Sequence, residues 1–135
     1  MQDRAAIMFA EDSPADVYLF REALKAHTVE ADVLVFEDGE TALAFMVAAA
    51  DGGPYPKLFV LDLNLPRIDG LTLLRHLRQS ERFANTPVVV LTSSFNPADE
   101  VESLRLGATR YIRKAEDIGD FLDIGREIKL LLRQA

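Results

Sequence analysis

Apolar runs of strand length alternate along this chain with segments of helical period. Ala5-Ala6-Ile7-Met8-Phe9-Ala10 predicts a buried first strand, ended by Glu11-Asp12-Ser13-Pro14. Ser13 can cap a helix whose first turn holds Pro14 and Asp16, because proline lacks only an N–H that has no partner there. Val17, Phe20 and Leu24 then share one face. Val33-Leu34-Val35-Phe36 is the second strand, and Asp38-Gly39 opens a helix through Ala42, Leu43, Phe45, Met46 and Val47. Asp51-Gly52-Gly53-Pro54 stops that helix.

Leu58-Phe59-Val60-Leu61 is apolar at every position, the pattern of a central parallel strand covered on both faces. Asp62 stands at its end. Asp69-Gly70 opens a third helix with Leu71, Leu74 and Leu77 on its inner side. Pro87 to Leu91 is the fourth strand, ending in Thr92-Ser93-Ser94. Pro97 to Leu106 is the fourth helix, Gly107 ends it, Tyr111 and Ile112 belong to the fifth strand, and Ile118 to Arg133 is the last helix. No internal repeat or low-complexity tract interrupts the alternation. Five strands alternating with five helices predict an α/β fold, a doubly wound parallel sheet with flavodoxin-like strand order 2-1-3-4-5.

At 135 residues the chain has the size of one domain, so residues 1–135 are expected to form a single unit with no output domain. Hydrophobic residues at 49% and charged residues at 27% suit a folded core with a polar surface. There is no cysteine, which excludes disulfides, thiolate metal sites and a thiol nucleophile and makes a reducing, cytoplasmic location the default. Residues 1–67 carry 5 basic and 12 acidic side chains, whereas residues 68–135 carry 10 of each. That acidity disfavours binding to a phosphate backbone, so nucleic acid is not an expected partner. No stretch approaches the ~20 apolar residues needed to span a membrane, and the opening apolar run is too brief for a signal peptide.

Ligands of doubly wound sheets lie beyond the carboxyl ends of the strands. That rule gathers Glu11, Asp12, Asp62, Asn64, Thr92 and Lys114. The first and third strands are neighbours in the expected order, so the carboxylates of Glu11, Asp12 and Asp62 converge. Oxygen ligands without His or Cys suit a hard cation such as Mg²⁺. The expected metal ligands are Asp12, Asp62 and the backbone carbonyl of Asn64, with Glu11 bound directly or through water. Thr92 offers a hydroxyl, and Lys114 offers a compact positive charge. Mg²⁺ and Lys114 would offset the repulsion between a carboxylate and a phosphoryl group, making Asp62 the expected nucleophile of an in-line transfer.

With these features in order at successive strand ends, the sequence resembles the receiver domains of two-component response regulators over essentially its full length. The resemblance rests on Glu11-Asp12, Leu61-Asp62-Leu63-Asn64-Leu65-Pro66, Asp69-Gly70, Leu91-Thr92-Ser93 and Tyr111-Ile112-Arg113-Lys114. It implies that Asp62 accepts a phosphoryl group from a histidine kinase or phosphotransfer protein. It also implies that Thr92 and Tyr111 form a switch pair, the hydroxyl moving toward the phosphate and the ring following inward. Glu-Asp-Ser-Pro-Ala-Asp-Val with the later Leu-Asp-Leu-Asn-Leu-Pro and Leu-Thr-Ser-Ser resembles the single-domain regulators of phytochrome-type kinases. Two positions depart from the family pattern: Glu11 stands where Asp is usual, and Ala115 follows Lys114 where proline is usual. A cis bond before Ala115 would cost about 2.5–4 kcal/mol.

The last helix spreads Ile118, Phe121, Leu122, Ile124, Ile128, Leu131 and Leu132 over about half its circumference, wider than the ~100° stripe one sheet face needs. Deep burial is one account. The other is homodimerisation through the fourth helix, fifth strand and last helix. His27 and His76 lack companions at metal-ligand spacing and are read as helix-surface residues.

Three rival functions share parts of this pattern. A flavin mononucleotide carrier needs phosphate donors after the first strand, where Glu11-Asp12 would repel the anion. An aspartate-nucleophile phosphohydrolase usually carries Asp-x-Asp, but here Asp62-Leu63-Asn64 puts an amide where the acid/base belongs. A receiver-like adaptor that never carries phosphate is opposed by the complete set of Asp12, Asp62, Thr92 and Lys114. The expected protein is a phosphoacceptor switch, not an enzyme.

Overall fold

The computed structural model describes residues 4–53 and 55–134. Five strands form one parallel sheet in the order β2-β1-β3-β4-β5, with β1 Ala5–Ala10, β2 Ala31–Phe36, β3 Leu58–Leu61, β4 Val88–Thr92 and β5 Arg110–Arg113. Helices α1 Pro14–Ala26, α2 Gly39–Ala50, α3 Gly70–Gln79 and α4 Pro97–Arg105 follow successive strands. The flavodoxin-like arrangement is the expected one.

Strand periodicity sorts the core into two layers. Successive residues of a strand point to opposite faces, so Met8, Ala10, Phe59, Leu61, Val88 and Val90 pack with α2 and α3. Ile7, Phe9, Leu58, Val60, Val89 and Leu91 pack instead with α1 and the C-terminal helices. The three inner strands are therefore apolar up to the terminal Thr92 of β4, while the edge strands β2 and β5 are only partly buried. Along α3 the residues that reach zero exposure are Leu73, Leu74 and Leu77; Leu71 is half-buried at the rim.

The last helix is interrupted. It forms α5 Ile118–Leu122 and α6 Ile124–Gln134, separated at Asp123. The break lies between Gly119 and Gly125, two residues that weaken helix propensity. Gly125 is held close to α1: a Cβ there would lie 2.1 Å from the Ala23 carbonyl oxygen. Burial accounts for much of the wide apolar stripe, because Phe121, Ile124, Ile128 and Leu131 lie in the core and Leu132 packs against it. Ile118 remains exposed on the surface.

Two glycines seat the loop after β3. A Cβ at Gly70 would lie 2.3 Å from the Asp62 carbonyl oxygen, and one at Gly39 would lie 1.8 Å from that of Ile68. The Gly70 N–H donates to Leu63 O at 3.1 Å, and the Gly39 N–H donates to Pro66 O at 3.0 Å. Helices α2 and α3 thus start directly against the 62–68 segment. Asp38 and Asp69 cap them by accepting from the Thr41 and Thr72 N–H groups.

Candidate functional site

The carboxyl ends of β1, β3, β4 and β5 bring Glu11, Asp12, Asp62, Thr92 and Lys114 to one edge. Parallel pairing does this: Ala10 is opposite Leu61, Leu61 opposite Val90, and Thr92 opposite Arg113. Glu11 and Asp62 therefore emerge side by side, while Thr92, the last residue of β4, and Lys114, just after β5, stand one and two positions further along. One carboxylate oxygen from each of Glu11, Asp12 and Asp62 lies within 4.8 Å of the others. Glu11 is 1% exposed and Asp62 5% exposed, whereas Asp12 faces solvent.

Asp62 is held at both oxygens. Its Oδ1 accepts from the Asn64 N–H at 3.1 Å, and its Oδ2 accepts from Lys114 Nζ at 3.2 Å. Lys114 Nζ also donates to Asp16 Oδ2 at 2.8 Å and lies 2.6 Å from Glu11 Oε1. The Glu11 contact is an ion pair without hydrogen-bond alignment, since Oε1 lacks an aligned donor. Glu11 Oε2 accepts from the Ser13 N–H at 3.2 Å.

Burial and close charges perturb Glu11 and Lys114. Desolvation raises the Glu11 carboxyl to about 7; Lys114 opposes the rise and the Asp62 charge adds to it. Burial alone would lower the Lys114 ammonium, but its hydrogen bond to Asp16 and the close negative charges of Glu11 and Asp62 outweigh it and hold the group above its ordinary value. Lys114 reaches Asp62 although no peptide bond among the described residues is cis. The Lys114–Ala115 bond is trans, and the backbone Lys114 N–H is fixed on Thr92 O at 2.7 Å.

Thr92 is fully buried, and its Oγ1 accepts from the Ser94 N–H at 3.3 Å. Ser94 Oγ bonds to Asp99 at the start of α4. The Tyr111 hydroxyl is buried near these groups and has no aligned hydrogen-bond partner. Its pKa is raised, chiefly by desolvation. The Tyr111 ring packs on the α2–α3 side of the core. A cleft of about 900 Å³ opens from Lys114 to Phe95, between the β4–α4 loop and β5.

The Asn64 side chain is exposed, and its backbone N–H is engaged with Asp62. His27 caps the end of α1 and His76 lies on α3; neither belongs to the acidic edge. Asp16 is the site residue that sequence reasoning treated only as a first-turn acid. Its spacing, one turn beyond Glu11-Asp12 on a capped helix, was the available signal. Its partner is 98 positions away.

Similarity to known proteins agrees with this geometry. The family model of the response regulator receiver domain matches residues 7–125. Response regulator Rcp1 of Synechocystis sp. is 35% identical over 125 residues, covering 91% of this chain and 85% of that protein. The Mn²⁺-bound form of Rcp1 superposes with a TM-score of 0.82, covering 93% of this chain and 91% of that one. The phosphorylated cyanobacterial phytochrome response regulator RcpA superposes at 0.88, with 32% identity and coverage of 98% and 97% of the two chains. With its strand order, acidic edge and family match all in agreement, this chain belongs to the response regulator receiver domain family.

Proposed function

We propose that the chain is a phosphoacceptor switch, a signalling protein in which Asp62 takes a phosphoryl group from a sensor histidine kinase or phosphotransfer protein. The observation that carries this reading is the buried Asp62 carboxylate, 3.2 Å from Lys114 Nζ and within 4.8 Å of carboxylates from Glu11 and Asp12. An Asp62 oxygen forms the bond to phosphorus as the donor's bond to phosphorus breaks and the leaving group departs with its electron pair. Lys114 neutralises charge on the phosphoryl oxygens, and the Thr92 hydroxyl donates to one of them.

The donor set fits Mg²⁺. It is all oxygen, partly open to water through Asp12, and contains in Glu11 a carboxyl that needs a counter-charge to ionise fully. Asp12, Asp62 and the Asn64 carbonyl would hold the ion, with Glu11 direct or through water. When bound, it supplies positive charge beside the transferring group. Thr92 and Tyr111 form the switch pair, linked to α4 through Ser94 and Asp99.

The likeness to RcpA, a cyanobacterial phytochrome response regulator, supports a phytochrome-type kinase as the donor. The location is cytoplasmic, and nucleic acid and membrane are not direct partners. No helix among the described residues is long and apolar enough to cross a membrane. The chain also pairs with itself through α4, β5 and the C-terminal helices, where Val101, Leu104 and Ile118 are exposed. Sedimentation showing only monomer at micromolar concentration, with and without phosphorylation, would overturn that pairing.

The test of the main reading is the intact mass of wild type and Asp62→Asn after incubation with acetyl phosphate and Mg²⁺. Wild type gains one phosphoryl group and the variant none. A gain in both defeats the assignment of Asp62, and a gain in neither favours the adaptor.

A further inference from the structure

Lys114 is shared among three carboxylates, but its two aligned hydrogen bonds go to Asp16 at 2.8 Å and Asp62 at 3.2 Å. The shorter one runs to the residue outside the phosphoacceptor cluster. A lysine ammonium sits on a flexible four-carbon stem, so its aim depends on whatever grips its far end. Asp16 is itself fixed. It occupies the first turn of α1, where its N–H donates to Ser13 Oγ at 3.3 Å, and the Ser13 N–H in turn donates to Glu11 Oε2 at 3.2 Å. The cap of α1 and the acidic edge are thus one hydrogen-bonded unit, with Lys114 strung between Asp16 and Asp62.

We propose that Asp16 is a positioning residue for the phosphoryl transfer, tethering the Lys114 ammonium at the Asp62 edge. The inference rests on the phosphoacceptor reading of Asp62. An ammonium has three protons, so Lys114 can keep its bond to Asp16 while another proton turns to a phosphoryl oxygen on Asp62. Loss of Asp16 frees the stem and leaves the transferring group with a less well-placed counter-charge. Charge alone predicts the opposite: one carboxylate fewer reduces repulsion of an anionic donor and speeds the reaction. The direction of the effect therefore separates the two.

The experiment compares wild type, Asp16→Ala, Asp16→Asn and Asp16→Glu by intact mass during reaction with acetyl phosphate and Mg²⁺, with melting temperatures read alongside. In parallel, Lys114 in the phosphate-free proteins is acylated with acetic anhydride and followed by peptide mass. The Ala and Asn variants should be phosphorylated roughly fivefold or more slowly, the scale of coupling between contacting residues. In both, Lys114 should acylate faster than in wild type, and Asp16→Glu should recover at least part of both properties. Phosphorylation of Asp16→Asn at the wild-type rate or faster, unchanged acylation of Lys114, or no recovery in Asp16→Glu overturns the tether while leaving Asp62 as acceptor. A wild type that takes up no phosphoryl group defeats the acceptor reading itself.

Discussion

Replacing Glu11 by Gln should stabilise the protein at neutral and alkaline pH in the absence of divalent cations. The Glu11 carboxyl is buried, and its pKa rises from 4.5 to about 7 on folding, with desolvation the largest cause. Between those values the folded chain holds a proton that the unfolded chain releases, so stability falls as pH rises through the window. The proton-linked stabilisation is fully present below 4.5 and lost above about 7. At about 1.4 kcal/mol per pH unit the full swing is about 3 kcal/mol, and coupling to Lys114 and Asp62 makes about 1–3 kcal/mol the working range. Glutamine keeps the shape, carries no charge and can turn its amide oxygen toward Lys114. Thermal melts in EDTA from pH 5 to pH 8 should show Glu11→Gln flattening the slope. At pH 8 its melting temperature should exceed wild type by roughly 3–10 °C, at a few degrees per kcal/mol for a chain of this length. A variant less stable than wild type at pH 8, or with an unchanged slope, would refute the reasoning.

Gly70→Ala would force a Cβ to within 2.3 Å of the Asp62 carbonyl oxygen. Relieving that clash requires a shift of about 1 Å, so the expected loss is about 2–4 kcal/mol in denaturant titration, together with slowed uptake of phosphate from acetyl phosphate. Wild-type stability and rate would sink it. Arg78→Met should cost about 2–4 kcal/mol by the same titration, because the Arg78 guanidinium donates to the carbonyls of Gly107, Phe83 and Thr86 at 2.8–3.1 Å. A loss under 1 kcal/mol would mean those carbonyls find other donors or water.

The strands and the cluster of polar side chains at their ends were legible in the sequence for one physical reason. Central parallel strands must be apolar on both faces, so Leu58–Leu61 and Val88–Leu91 stand out as short apolar blocks, and the first polar residue after each marks the ligand edge. Asp62 and Thr92 could be named from that alone. Helical detail was less legible where packing overrides period. Leu73 is buried in place of Leu71, and the stripe from Ile118 to Leu132 does not report the break at Asp123, which goes with the close approach of Gly125 to α1. Edge strand β2 begins at Ala31 rather than Val33, because its first two residues pair with β1 without adding to an apolar run. The bond between Asp16 and Lys114 was not legible, since no local pattern joins residues so far apart in the chain.

The close seating of Gly39 and Gly70 determines which way the molecule can respond to new charge. On that flank, backbone meets backbone with no room for a methyl group, so the segment carrying Asp62 has nowhere to recoil. Across the site, Ser94 to Asn96 hang on side-chain hydrogen bonds beside an open cleft, and Phe95 is 71% exposed. Under the proposed function, strain arriving at Asp62 would discharge toward α4, with one side of the sheet edge an anvil and the other the part free to give.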